Sequence, residues 1–387
     1  MLMKRLLSFL CMVMVFTGAY AQHYYQDAKN PQMLRHATRH EPVRVDIVLP
    51  LVNGYNIYTA DLHTHTVYSD GRVTPSHRVQ EAWLDGIDII ALTDHIEYRP
   101  VEKAFYNYLK EYTDEDYPKK REDALAKVDL NVSVKEAISE GEKYGMVVIP
   151  GIEITRDGTK VGHFNALFTV DNNRIYDEDP LKAIRNAKLQ GALVMHNHPG
   201  WRKTSIDFTE TEKQAYQEGL IDGVEVMNGS EFYPGIIDRS QEWRLFIAAN
   251  TDIHGSTSDY RLHGHWRPMT LVFSKDKTLE SVREALDSCR TIALGFDTLC
   301  GDSDLLKDFF AASVEVDQVE VGDNRFVILK NKTSIPFYVQ NGNSNPYYLE
   351  PLSSVRKTVS KTAKKIKLTV LNMWDGADTH PVVEIKL

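Results

Sequence analysis

The sequence predicts an α/β chain whose strands can close, or nearly close, a barrel, followed by a small all-β region, and three observations carry that prediction. From about Ile57 short β-branched runs alternate with amphipathic helical stretches, the pattern of β/α units. Seven such runs occur before about Gly301, enough to bury one another in a barrel. Beyond Gly301 the helical periodicity fades into short alternating segments of strand character.

Taken in order, the chain opens with Lys4 and Arg5, an apolar run Leu6–Phe16, and small residues ending in Ala19-Tyr20-Ala21. That is the form of a secretory signal peptide, too short and wrongly flanked to span a bilayer, and no later segment is apolar enough to try. Cleavage near Ala21 is expected, giving a secreted or periplasmic protein with no membrane span. Cys11 leaves with the leader and lacks the small residues that a lipid-anchor signal places before it. Loss of Lys4 and Arg5 takes the formal charge from −9 to −11, which disfavours a nucleic-acid polymer as partner. Cys289 and Cys300 then remain, a pair that could bridge in an oxidising compartment but makes no disulfide framework.

The expected boundaries are 1–21 for the leader, 22–50 for an N-terminal extension, 51–300 for the barrel and 301–387 for a β-sandwich-like domain. The predicted strands are Ile57–Leu62, Ile87–Leu92, Met146–Ile152, Gly162–Val170, Ala192–Met195, Gly223–Met227 and Leu245–Ala249. Helices are expected at Pro75–Leu84, Val132–Tyr144, Pro180–Gln190, Thr209–Glu218, Pro234–Arg244 and Leu279–Cys289. Tyr98–Asp129 breaks the rhythm and follows the second strand, where a barrel keeps its active-site loops; a lid and a solvated helical insertion both fit. The tail reads as strands at Ala312–Val321, Arg325–Leu329, Ile335–Val339, Ile366–Asn372 and Val382–Leu387. Its Lys357, Lys361, Lys364, Lys365 and Lys367 fit a solvated edge better than an anion-binding surface.

The chemistry lies where metal-capable residues meet these strands. The first ends in Asp61-Leu62-His63-Thr64-His65, and residues two apart on an extended chain face the same side, so both imidazoles can grip one ion. The second ends in Thr93-Asp94-His95, the third in Gly151-Ile152-Glu153, and the fourth carries His163. The fifth ends in His196-Asn197-His198-Pro199-Gly200 and the last in Asn250-Thr251-Asp252-Ile253-His254. Catalytic residues at strand C-termini are what a barrel enzyme requires. So many imidazoles and carboxylates exceed the needs of one ion, and a carboxylate such as Glu153 can bridge two cations in the clamp used for displacement at phosphorus. No Gly-x-Ser-x-Gly, Cys-His pair or phosphate-cradling glycine loop is present, which disfavours covalent or nucleotide-driven chemistry.

These motifs resemble those of the polymerase and histidinol phosphatase (PHP) superfamily over roughly residues 57–256. Asp61-Leu62-His63-Thr64-His65-Thr66 with Ser69-Asp70-Gly71 is similar to its first motif and Thr93-Asp94-His95 to its second. Glu153, His163, His198-Pro199-Gly200 and Asp252-x-His254 resemble the rest. The resemblance implies a distorted, TIM-like (β/α)7 barrel holding two or three divalent ions of zinc, manganese or iron. It implies one ion on His63, His65, Glu153 and Asp252, a second on Glu153, His163 and His198, and a third on Asp70, His95 and His254. Some relatives carry His in place of Asp70. His196 is expected in an outer shell or facing substrate, and Asp94 orienting an imidazole.

The implied reaction is hydrolysis of a small organic phosphate monoester or diester by a metal-bound hydroxide. Glu153, Asp252, His196 and Arg202 are the expected catalytic group, with Arg156 and Arg267 as further phosphate-binding candidates. His263, His265 and Trp266 are positioned in sequence to meet a leaving group. Two other readings are an amidohydrolase-like metal hydrolase and a non-catalytic metal-binding surface module. Against the first stands the pairing of Asp252-x-His254 with His198-Pro199-Gly200; against the second, every expected ligand position is filled.

Overall fold

The computed structural model describes residues 43–109 and 128–387, together with residue 32 and a short antiparallel pair, Tyr25–Gln26 with Arg35–His36. It divides into two compact units, Met1–Val43 and Arg44–Leu387. The leader expected over residues 1–21 and residues 110–127 of the insertion lie outside the described residues. Among the described residues no helix is long and apolar enough to cross a membrane.

All seven expected barrel strands form: β1 (Asn56–Asp61), β2 (Ile89–Leu92), β3 (Val147–Thr155), β4 (His163–Leu167), β5 (Leu193–His196), β6 (Gly223–Asn228) and β7 (Phe246–Asn250). The intervening helices are α1 (Pro75–Leu84), α2 (Pro100–Leu109), α3 (Val132–Tyr144), α4 (Pro180–Leu189), α5 (Glu210–Gln217) and α6 (Gly235–Trp243). Local chemistry sets their starts. Thr74 accepts from the His77 N–H with Pro75 at the first helical position of α1, and Thr209 and Glu212 form a capping box on α5.

One strand departs from the expected parallel order. β4 pairs antiparallel with both β3 and β5, while β1–β2, β2–β3, β5–β6 and β6–β7 are parallel. Only residues 156–162 separate β3 from β4, too few for a crossover, which takes about a dozen. Reversal puts the first residue of β4, His163, opposite Thr155, at the end of the barrel where the other strands finish.

The sheet also runs on past β1. β8 (Met269–Ser274), β9 (Thr291–Gly295) and β10 (Thr298–Gly301) continue it antiparallel, with α7 (Leu279–Asp287) between β8 and β9. The path of eleven strands from β7 through β1 to β10 and Met373–Trp374 is therefore a curled mixed sheet, not a closed ladder. Side chains close its seam. The Thr270 hydroxyl donates to Ala249 O at 3.0 Å and meets Ala249 N at 3.1 Å, and Ile247 N donates to the Thr291 hydroxyl at 3.1 Å. At the upper end Asp252 N donates to His63 O (2.9 Å) and His65 N to Ile253 O (3.2 Å). The interior is filled by buried Leu62, Ile89, Ala91, Leu167, Met195 and Phe246.

After β10, α8 (Ser303–Ser313) precedes two small sheets. One is β11 (Val314–Val321), β12 (Asn324–Asn331) and β15 (Ser354–Val359); the other is β14 (Tyr347–Leu349), β13 (Phe337–Asn341), β16 (Lys365–Val370) and β17 (Val382–Lys386). α8, β14 and β15 were not expected from the sequence pattern. Phe309 and Phe310 of α8 pack on Phe337 with ring centroids 6.2 and 5.0 Å apart, and Phe309 also meets Phe273 of β8 at 6.3 Å. One apolar cluster thus runs from the barrel wall into the C-terminal sheets. Lys365 and Lys367 of β16, a strand flanked by β13 and β17, lie 2.8 and 3.8 Å from Glu384 in exposed ion pairs. Cys289 and Cys300 are free thiols.

Candidate metal centre

His63, His65, Asp70, His95, Glu153, His163, His198, Asp252 and His254 converge at one end of the barrel. Four overlapping groups have ligand atoms within 4.8 Å of one another. They are His63, His65 and Glu153; His63, His198 and Asp252; Glu153, His163 and His198; and His65, Asp70, His95 and His254. The last adds His65 to the expected trio. Seven of the nine residues line a cavity of ≈ 1020 Å³, while His63 and His65 are fully buried behind them.

The distances are short. His63 Nε2 lies 3.1 Å from His65 Nε2, 3.2 Å from Asp252 Oδ1 and 3.7 Å from Glu153 Oε1. Asp252 Oδ1 is 2.9 Å from His65 Nε2, and Glu153 Oε1 is 3.2 Å from His163 Nδ1. Asp70 reaches His95 Nε2 at 3.3 Å and His254 Nε2 at 3.2 Å. The His65 ring stacks on those of His95 and His254, each 4.3 Å away, and those two are 6.0 Å from each other.

Such a set fits divalent cations. His63 Nδ1 donates to the Glu225 carboxylate at 2.9 Å, which leaves Nε2 facing another imidazole and two carboxylates. His163 Nε2 donates to Arg156 O at 2.8 Å, which turns its Nδ1 lone pair on Glu153. Buried His65 Nδ1 makes no hydrogen bond, and Glu153 Oε2 meets His95 Nδ1 at 2.6 Å. Lone pairs converging in a dry site repel unless a cation lies among them, and imidazole with carboxylate suits zinc, manganese or iron.

The titration behaviour has the same origin. Burial disfavours charge on His63, but Asp252, Glu225 and Glu153 outweigh it and hold the ring well above its usual range. Burial, reinforced by His95, brings His65 down to about 4, and burial brings His198 down to about 4. His95 is raised to about 10 against burial by Glu153 and Asp70. Burial would raise Glu153, yet His95 and His63 hold it well below the carboxylate range, and His63 and His65 do the same for Asp252.

Several expected roles need correction. His196 faces away from the cavity: its ring stacks on Phe164, Nε2 is 3.0 Å from Glu212 and Nδ1 3.0 Å from the Tyr216 hydroxyl. β5 ends at His196 and His198 has φ 26°, so strand alternation stops between them and Asn197 turns in, donating to Glu153 at 2.9 Å. Asp94 accepts from Thr66 N (2.7 Å) and the Ser69 hydroxyl (2.7 Å), shaping the His63–Ser69 turn rather than holding an imidazole. Arg267 is buried against Asp61 and Asp85, out of reach of a substrate. His265 and Trp266 line a separate cavity of ≈ 240 Å³.

Arg156 and Arg202 do line the main cavity. Arg156 is ion-paired to Glu97 and donates to Asp177 O at 2.6 Å. Arg202 lies 4.2 Å from the Trp201 ring, whose centroid is 5.1 Å from that of His163 and 5.3 Å from that of His198. Gly158 lets the β3–β4 loop close over that indole; a Cβ there would sit 2.7 Å from Trp201.

Sequence reasoning missed Glu225 and Arg78. Glu225, on the strand that supplies no expected ligand, is fully buried beside His63. Arg78, also fully buried, donates to His65 O at 3.0 and 2.9 Å, tying α1 to the first ligand turn. The sequence shows only a Glu inside the apolar run Gly223–Met227 and an Arg on the apolar face of α1.

An antiparallel-interrupted curled barrel with stacked histidine and carboxylate groups at one end defines the class of PHP-type metal-dependent phosphoesterase folds. The PHP domain profile matches residues 61–292, more than half of the chain, and the chain belongs to that family. It is similar over 90% of its length, at 31% identity and a TM-score of 0.78, to a Bacteroides vulgatus two-domain protein containing a predicted PHP-like metal-dependent phosphoesterase, all of which it covers. Two more distant structures overlay in part. An amidohydrolase from Chromobacterium violaceum is 14% identical with a TM-score of 0.36, covering 52% of this chain and 89% of its own. PsfC from Pseudomonas syringae is 15% identical with a TM-score of 0.38, covering 62% and 92%. No curated protein matches the chain.

Proposed function

We propose that the protein is an exported phosphoesterase that hydrolyses a small organic phosphate, monoester or diester, with two or three divalent ions. The observation that carries this reading is Glu153, fully buried and shared by two of the four ligand groups at the cavity. Export is supported by the Lys4-Arg5 start, the apolar run and Ala19-Tyr20-Ala21. His63, His65, Glu153 and Asp252 would hold one ion, Glu153, His163 and His198 a second, and Asp70, His95 and His254, with His65 beside them, a third. Divalent ions so held supply Lewis acidity toward phosphoryl oxygens and lower the pKa of water.

The chain's own part is orientation and charge. Asn197 fixes the Glu153 carboxylate, and the Arg156 carbonyl fixes the tautomer of His163. Arg202 presents a guanidinium at the cavity with no ion-pair partner among the described residues, suited to phosphate oxygens, whereas the charge of Arg156 is met by Glu97. His196 serves the Glu212 network and takes no part in the reaction.

The test is a kinetic screen of phosphate monoesters and diesters beside an amide panel, using metal-reconstituted protein. Turnover of phosphate esters that is lost in Arg202→Ala mainly through KM is the expected result. Activity confined to amides would refute the reading.

A further inference from the structure

The buried carboxylate of Glu225 has no place in the ligand groups, yet it accepts four hydrogen bonds. His63 Nδ1 and Asn250 Nδ2 reach Oε1, each at 2.9 Å; the His198 backbone N–H reaches Oε2 at 2.7 Å and Asn228 Nδ2 at 2.8 Å. All four donors and the carboxylate are buried. His198 carries φ 26°, a left-handed conformation that non-glycine residues avoid, and its N–H is held there by Glu225.

We infer that Glu225 is a positioning residue that couples two ion positions from behind, one through the His63 ring and the other through the His198 turn. Resting on the reading that the cluster holds metal, this gives Glu225 in the outer layer the same span that Glu153 has in the inner one. Its acceptors fix His63 with the proton on Nδ1, so that Nε2 offers its lone pair to an ion. Its second oxygen keeps the His198 turn where Nε2 points at Glu153 and Asp252, each 3.8 Å away. The group of Asp70, His95 and His254 has no contact with Glu225 and is left out of this coupling.

The chemistry of an amide in that position makes the inference testable. Glu225→Gln keeps the size but replaces one acceptor by an NH2 donor. It can then accept from the His63 side or from the His198 side, but not both, and its own N–H faces a buried donor.

The experiment is equilibrium dialysis of the full chain against Zn2+ or Mn2+ with a competing chelator, ions counted by mass spectrometry, with unfolding temperature measured on the metal-free protein. Wild type is expected to bind more than one ion. Glu225→Gln should weaken two of them together by about 10- to 100-fold, as outer-layer carboxylates do, with the remaining affinity within about twofold. Glu225→Asp keeps the charge but is too short to span both partners, and should weaken the same two ions.

Unchanged binding in a folded Glu225→Gln overturns the inference, and so does weakening confined to one ion or equal weakening of a third. If Glu225→Gln does not fold, Glu225→Asp decides: wild-type affinity in it is equally fatal. A wild-type protein that binds no ion refutes the metal reading itself, a different outcome.

Discussion

The site end of the barrel and the apolar junction beneath the C-terminal sheets are built on opposite terms. Around Glu153 the buried side chains are imidazoles and carboxylates, and the backbone is bent at two of them, with φ 26° at His198 and 52° at Asp252. Such conformations cost about 1–3 kcal/mol each and persist only where surroundings impose them, here the Glu225 carboxylate on His198 N and the His63 carbonyl on Asp252 N. At the junction Phe273, Phe309, Phe310 and Phe337 are fully or almost fully buried and pack ring against ring. The difference teaches that one region holds chemistry at a cost in stability and the other supplies cohesion.

Exchanging the two properties by mutation is the most direct way to break that comparison. Glu153→Gln should lower turnover by ~10³-fold or more, since several kcal/mol of transition-state stabilisation are removed. Its unfolding temperature in the metal-free state should fall, because His95 and His63 lose the buried carboxylate that holds them charged, while the apolar junction stays intact. Steady-state kinetics and thermal melts check both, and a variant that melts early yet keeps turnover would reverse the assignment.

Phe337→Ala should act on stability alone. Loss of a fully buried ring costs about 3–5 kcal/mol, to be seen in urea unfolding, while kcat per folded molecule at 25 °C stays within about twofold. A large fall in kcat with unaltered stability would show that the junction acts on the site.

The smallest expected effect sharpens the contrast through pH. In chelator-treated protein His65 and His198, brought down to about 4 by burial, refuse protons that unfolded imidazoles accept near 6.5. Their contribution is therefore present above about pH 6.5 and lost as the pH falls toward 4. His95, raised to about 10 by Glu153 and Asp70 despite burial, works in the other sense: its contribution is full below about pH 6.5 and is lost as the pH rises toward 10. Melting temperature across about pH 5–9 should peak near neutrality, falling several degrees on each side. A single-sided slope would contradict the balance.

Much of this was readable in the chain. Two histidines two apart at the end of an apolar run must share a side while the strand lasts, which is why His63 and His65 could be paired by spacing alone. The same rule failed for His196 and His198, because β5 stops at His196 and the positive φ of His198 turns the chain. The run that became β4 showed no direction, since an apolar strand looks alike from either end. Only the absence of a helix before Gly162 hinted at the reversal.

The sequence by itself determined the order of strands and helices, the family motifs and most of the ligand types, because periodicity and spacing are local properties. Which carboxylates lie behind the ligands, and which cations reach the cavity, was decided only in three dimensions. Glu225 meets His63 across 162 positions and Arg267 meets Asp61 across 206, and in sequence both charges look like solvated residues. Burial turns them into fixed partners, since a charge removed from water must find its complement within a few ångströms, wherever on the chain that complement lies.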